Sequence, residues 1–158
     1  MRKVKLNGKN EIEVKVRHVA LSYDFGLPTY ATEDSSGIDL IACMGVAVTL
    51  MPGKCHAFQT GLAMEIPKGY EGQIRSKSGL APRNNVFVLN SPDTIDSDYR
   101  GEIEVILANF GSNPATIFPQ QKIAQMVFAP VTRAKLIEVD ELSEIDRGKP
   151  KERYGDEF

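Results

Sequence analysis

Asp96, Asp98 and Tyr99 fall within four residues of one another in the segment Asn90-Ser91-Pro92-Asp93-Thr94-Ile95-Asp96-Ser97-Asp98-Tyr99-Arg100-Gly101-Glu102-Ile103. A carboxylate beside a tight turn can be held at one point of a pocket, where Asp96 would take a proton from water as a general base in dry surroundings. A tyrosine three residues on can wall the same pocket, packing flat against a ring and leaving no room for one extra hydroxyl. Val86-Phe87-Val88-Leu89 leads into the segment and Ile103-Glu104-Val105 leads out, which predicts a hairpin. Its end would expose unpaired main-chain donors and acceptors to the hydrogen-bonding edge of a planar ring. The plainer alternative is a structural hairpin with a surface acid and a core tyrosine.

Three further segments carry chemistry. In Ser35-Ser36-Gly37-Ile38-Asp39-Leu40-Ile41-Ala42, Gly37 permits a close backbone approach and Asp39 stands between apolar neighbours. It reads either as an acid aimed into a site, toward metal-bound water, or as a turn acid starting a strand. Gln73-Ile74-Arg75-Ser76-Lys77-Ser78-Gly79-Leu80-Ala81 gathers two cations, two hydroxyls and a glycine before a possible short helix over 78–84. Backbone N–H groups there, with Lys77 and the Ser78 hydroxyl, could cradle phosphate oxygens; a solvated basic loop is the alternative. In Lys122-Ile123-Ala124-Gln125-Met126-Val127, Gln125 on a strand could reach a phosphate or a water, or lie on the exposed face.

The elements that must position these residues follow a period of two. Ile12, Val14 and Val16 alternate with charged residues, as do Ile103, Val105 and Leu107, which predicts half-buried strands. Asn7-Gly8 predicts an N-terminal hairpin. Turn signals recur at Gly26-Leu27-Pro28, Pro52-Gly53, Pro67-Lys68-Gly69, Pro92-Asp93, Gly111-Ser112-Asn113-Pro114 and Pro119-Gln120, so an all-β sandwich or barrel is expected, with at most one short helix. The 158 residues suit one domain, residues 1–140, followed by a charged, mobile tail over 141–158. A net charge of −2 provides no basic field to hold nucleic acid. No apolar run approaches the ~20 residues that span a membrane. Cys43 and Cys55 read as reduced thiols of a cytoplasmic protein, and His18 and His56 are too few for a histidine-rich metal site.

Taken in order, the four segments resemble the trimeric dUTPase family. Ser36-Gly37-Ile38-Asp39-Leu40-Ile41-Ala42 is similar to its first motif, and Lys77-Ser78-Gly79-Leu80-Ala81 to its second. Leu89-Asn90-Ser91-Pro92 with Thr94-Ile95-Asp96-Ser97-Asp98-Tyr99-Arg100-Gly101-Glu102 is similar to its third, and Lys122-Ile123-Ala124-Gln125 to its fourth. The bacterial pattern is also met at Leu27-Pro28-Thr29-Tyr30-Ala31-Thr32 and Thr60-Gly61-Leu62-Ala63. The resemblance spans Val14 to Pro130. It implies a jelly-roll β fold of the dUTPase (β-clip) type, a homotrimer with sites between subunits, and Mg²⁺-assisted hydrolysis of dUTP to dUMP and pyrophosphate. That reaction would limit uracil entry into DNA and supply dUMP for dTMP synthesis. By resemblance, Lys77, Ser78 and Gly79 hold phosphates, and Gln125 contacts the phosphate region. Asn90, the main chain at Thr94 and Ile95, and the main chain of Glu104 read uracil. Asp96 touches the sugar 3′-hydroxyl and activates water, Tyr99 excludes ribose, and Asp39 is an outer-shell partner of the metal's waters.

The chain departs from the family pattern in places. Lys77 and Lys122 stand where arginine is usual, so phosphate contact should be less directional. Asp93 replaces a turn glycine, which favours a type I over a type II turn after Pro92. Arg147-Gly148 begins like the family's glycine-rich fifth motif, but the residues after it do not continue that motif, so slow turnover is expected unless a longer tail exists. Two other functions stay open on these residues: a catalytically weak or silent trimer that binds nucleotide or a protein partner, and a deaminase of the related dCTP type.

Overall fold

The computed structural model describes residues 11–19, 26–80 and 85–143. The Asn7-Gly8 hairpin, the last part of the possible helix and the fifth-motif region lie outside these residues. Within them the chain forms eleven strands: β1 (Lys15–His18), β2 (Ile38–Ile41), β3 (Val48–Leu50), β4 (Cys55–Gln59), β5 (Leu62–Glu65), β6 (Tyr70–Ser76), β7 (Val86–Val88), β8 (Asp93–Ile95), β9 (Glu104–Asn109), β10 (Ala115–Ile117) and β11 (Lys122–Pro130). Residues 78–80 make a turn, so the described part of the expected helix is not helical.

Every strand pairing is antiparallel. One sheet runs β2-β11-β6-β8 and another β4-β9-β7, flanked by the pairs β1-β5 and β10-β3. The period-two reading holds where a strand lies over the core. Ile103, Val105 and Leu107 are wholly buried, while Glu104 between them is exposed. They pack with Leu40, Ile74, Ile117, Ile123 and Met126 into one apolar cluster. In the β1 region the charged residues are exposed and Val14 and Val16 only half-buried, so this strand covers the core edge.

Two local features set the site. A β-bulge at Ile123 shifts the register so that Lys122 faces Ile41, while Gln125 faces Asp39. Side chains directly opposite share a face, and so do residues two apart on one strand. The bulge therefore turns Lys122 to the face of Asp39, where a regular ladder would send it to the other side. Gly37 lies against β11 so closely that a Cβ there would sit 2.9 Å from the Met126 carbonyl oxygen, which is the close approach expected of it.

Candidate functional site

The arms of the expected hairpin form: β7 pairs with β9, Val86 against Asn109 and Val88 against Leu107. What lies between them is not a simple hairpin end. The turn closes over Val88–Ser91, with the Ser91 N–H donating to the Val88 carbonyl at 3.2 Å. Pro92 follows that turn through a cis peptide bond, and Asp93 already opens β8. The type I turn expected after Pro92 therefore gives way to a strand. β8 leaves the hairpin's sheet and pairs with β6, Gly72 against Ile95 and Gln73 against Thr94. It is the last strand of that sheet, so its other edge is open.

That edge faces a cavity of about 260 Å³ lined by Asp93, Thr94, Ile95, Asp96, Tyr99, Glu102, Glu104 and Ile106. The Tyr99 N–H donates to the Asp96 carbonyl at 3.1 Å, so one turn sets both residues. The Tyr99 hydroxyl donates to the Glu102 carbonyl at 2.9 Å. A Cβ on Gly101 would come within 2.7 Å of ring carbon Cζ of Tyr99, so only glycine lets the ring lie over this turn. Asp96 is exposed at the open side of the cavity. The dry surroundings expected of it are not supplied by its own chain. Asn90 is exposed on the Val88–Ser91 turn and is not part of the lining.

The other candidate residues gather elsewhere. Asp39, Gln125 and Arg75 occupy one register row across β2, β11 and β6. Asp39 is 9% exposed, and each of its oxygens holds a cation: Oδ1 accepts from Lys77, and Lys122 Nζ lies 2.7 Å from Oδ2. Burial pushes the Asp39 carboxyl up, but the Lys122 and Lys77 ammonium groups together outweigh it and hold the group below the ordinary carboxylate range. Ser78 and Gly79 are exposed in the turn after Lys77, closed by the Leu80 N–H on the Lys77 carbonyl at 3.1 Å. Arg75 donates to Gln73 Oε1 at 2.5 Å, and Gln73 donates to Glu71 at 2.6 Å, extending a polar face along β6. The Pro119-Gln120 turn before β11 is stapled to the end of β2, Gln120 N–H to the Ala42 carbonyl and Ala42 N–H to the Gln121 carbonyl, each at 2.9 Å. A separate cavity of about 180 Å³ is lined by Asp39 and Lys122 together with Leu27, Cys43, Thr60 and Gly61 among others.

The structure thus divides the predicted site residues, Asn90 excepted, into two groups. Thr94, Ile95, Asp96, Tyr99 and Glu104 share the β8–β9 cavity; Asp39, Lys77 and Gln125, with Ser78 and Gly79 beside Lys77, share the β2-β11-β6 face. Sequence reasoning missed the pairing of both lysines with a single acid. It also missed the bond from the Gly61 N–H to the Glu102 carboxylate, 2.8 Å long across 41 residues of chain, for which the local sequence carries no signal.

A protein-family model described as dUTPase matches residues 24–152. The deoxyuridine 5′-triphosphate nucleotidohydrolase of Anaplasma marginale is 48% identical over 138 residues, covering 87% of this chain and 94% of its own. The protein of the same name from Caldanaerobacter subterraneus subsp. tengcongensis is 46% identical over 136 residues, covering 86% and 92%. Among solved structures, a mutant dUTPase from phage phi11 of S. aureus, studied for its coordination of a structural Mg(II) ion, superposes with a TM-score of 0.73 at 20% identity, covering 84% of this chain and all of that one. A Staphylococcus bacteriophage 80alpha dUTPase solved with dUpNHpp gives 0.74 at 20% identity, covering 85% and 92%. The structural likeness confirms the jelly-roll fold, and the sequence relatives favour the hydrolase over a silent trimer or a deaminase. The chain belongs to the dUTPase family and is an enzyme that hydrolyses dUTP.

Proposed function

We propose that the chain binds the uracil and deoxyribose of dUTP in its β8–β9 cavity and receives the phosphates on the Asp39–Lys77–Gln125 face of a neighbouring copy, within a homotrimer. The observation that carries this reading is the charge of the cavity. Its lining holds four acids, Asp93, Asp96, Glu102 and Glu104, and no cation. A triphosphate needs positive charge on its oxygens as the bond to the leaving group breaks. The cations suited to that task, Lys77, Lys122 and Arg75, lie outside that lining, along β2-β11-β6. A symmetric oligomer can set one face against the other cavity.

In this reading the open edge of β8 offers the main chain of Thr94 and Ile95 to the uracil edge, with Asn90 and the main chain of Glu104 completing the recognition. Tyr99 lies against the sugar and excludes a 2′-hydroxyl. Asp96 contacts the 3′-hydroxyl and takes the proton of the attacking water. The water oxygen bonds to the α-phosphorus, the bond from that phosphorus to the bridging oxygen breaks, and pyrophosphate leaves with dUMP remaining. Lys77, Ser78, Gly79 and Gln125 hold the phosphates in line for that attack. Lys77 must exchange Asp39 for a phosphate oxygen, so substrate competes with an ion pair already made.

Mg²⁺ suits this arrangement as a passenger on the substrate. No group of three or more His, Cys, Asp or Glu among the described residues could cage a metal ion. Mg²⁺ keeps several waters and is commonly bound by substrate phosphates, whose charge it neutralises. Asp39 can meet those waters only as a lysine lets go of it. Cys43 and Cys55 are free thiols, which suits the reducing cytoplasm, where hydrolysis would keep uracil out of DNA and furnish dUMP for dTMP synthesis. Among the described residues no helix is long and apolar enough to cross a membrane.

Replacing Asp96 tests the assignment. Asp96→Asn should lower kcat for pyrophosphate release from dUTP by about 10²–10⁴-fold with Mg²⁺ present. A kcat within about twofold of wild type, far short of a general base's worth, removes Asp96 from the role.

A further inference from the structure

The Tyr99 ring is tied to the main chain at Glu102. Its hydroxyl is anchored on the Glu102 carbonyl at 2.9 Å, and its ring lies over Gly101, the residue before. Glu102 is itself fixed from the far side. Its Oε1 accepts the Gly61 N–H at 2.8 Å, across 41 residues of chain. Gly61 has φ of 72°, a backbone state that favours glycine, so the donor is presented by a turn few other residues could make. The junction continues one residue on. The Ile103 carbonyl accepts from the buried Thr60, by its hydroxyl at 2.7 Å and its N–H at 3.2 Å, and the Ile103 N–H donates to Leu62 at 2.8 Å. Residues 60–62 therefore hold residues 102–103 by four hydrogen bonds, of which the Glu102 side chain supplies the one nearest Tyr99.

We propose that Glu102 is a positioning residue for sugar discrimination: by gripping Gly61 it fixes the height of the Tyr99 ring over the cavity and so the exclusion of a ribose 2′-hydroxyl. This rests on the assignment of Tyr99 as the sugar wall. Tyr99 is 42% exposed and rests on its own turn, and among the described residues the bond to the Glu102 carbonyl is the hydrogen bond that ties its side chain down. A carboxylate accepting a backbone N–H is a charge-assisted bond, stronger than a neutral one. Without it, the Gly101–Glu102 peptide can lift away from the β4–β5 junction and carry the Tyr99 anchor with it.

The test is the ratio of kcat/KM for dUTP over UTP, measured on the full chain with Mg²⁺. Glu102→Ala should lower the ratio by about tenfold, the worth of one hydrogen bond to a charged group. The change should lie mainly in a gain of UTP turnover and a higher KM for dUTP. Glu102→Gln keeps an acceptor oxygen at the same reach and should restore the ratio toward wild type. Glu102→Asp keeps the charge but withdraws the oxygen by one methylene, and should behave like alanine; it also serves if Glu102→Ala fails to fold. An unchanged ratio in both Glu102→Ala and Glu102→Asp overturns the proposal. So does a parallel loss of both activities at constant ratio, which is what a purely structural residue produces. If wild type itself does not prefer dUTP, the assignment of Tyr99 fails instead.

Discussion

Asp39 is the only charged side chain among the described residues that is buried, and it holds two lysines at once. At the residue scale this is where electrostatics is most tightly committed. Asparagine at this position would leave Lys77 and Lys122 without their charge partner. Both lysines are partly exposed, 28% and 56%, and can turn to water, so the loss is discounted from that of a fully buried pair. Asp39→Asn should lower stability by about 1–3 kcal/mol in urea unfolding at neutral pH. The sign of the pH dependence follows from the depressed carboxyl. Its contribution is complete above the unfolded value of about 4 and is lost as pH falls through the lower folded value. The wild-type urea midpoint should therefore drop below about pH 4 more steeply than that of Asp39→Asn. Coincident acid limbs would show that the two lysines do not hold the carboxylate as described. Burial pushes the Cys43 thiol up, with the charge of Glu102 adding to it, so this cysteine should stay protonated where an exposed thiol begins to ionise.

At the scale of elements, the alternating pattern was enough to place β9, because Ile103, Val105 and Leu107 face one core. The place of Gly37 was equally legible, since a glycine beside an apolar strand start implies close packing. The bulge at Ile123 was not. Nothing in Lys122-Ile123-Ala124-Gln125 says that a residue will be left out of register, because that depends on how β2 meets β11. The exit of β8 into another sheet was hidden for a related reason. Asp93–Ile95 is only three residues long, too short for a period, and its partner β6 lies about twenty residues away. Tertiary pairing decides such strands more than their own propensity does. The same packing makes Gly37 intolerant. Gly37→Ala puts a Cβ 2.9 Å from a backbone oxygen that cannot swing away, and 3.1 Å from Val127 Cγ2. β2 or β11 must shift, at a cost of about 1–3 kcal/mol. Thermal unfolding of that variant should fall accordingly, and because β2 carries Asp39 and β11 carries Lys122, the KM for dUTP should rise with it. A variant as stable as wild type would mean that the two strands are not in this contact.

For the whole molecule, the question is whether the acidic cavity and the cationic face built on one chain act on one nucleotide within that chain or across two copies of it. The sequence motifs named both groups of residues but could not say that they stand apart, since order along the chain does not report which surfaces meet. Subunit mixing separates the two arrangements. A chain carrying Asp96→Asn keeps a sound cationic face, and a chain carrying Lys77→Ala keeps a sound cavity; each alone should be nearly inactive on dUTP. If sites are shared between subunits as proposed, the two chains unfolded together in equal amounts and refolded should form mixed trimers in which a site is whole only when its cavity comes from the second chain and its cationic face from the first. For random assembly of a symmetric oligomer, that is about a quarter of the sites, so about a quarter of wild-type activity should return. Mixing without unfolding should return far less, because subunits must exchange. If the co-refolded mixture is no more active than its parts while its sedimentation shows trimers, then cavity and cations act within one chain, and Lys77 must reach the nucleotide by a movement of β6 and not across an interface.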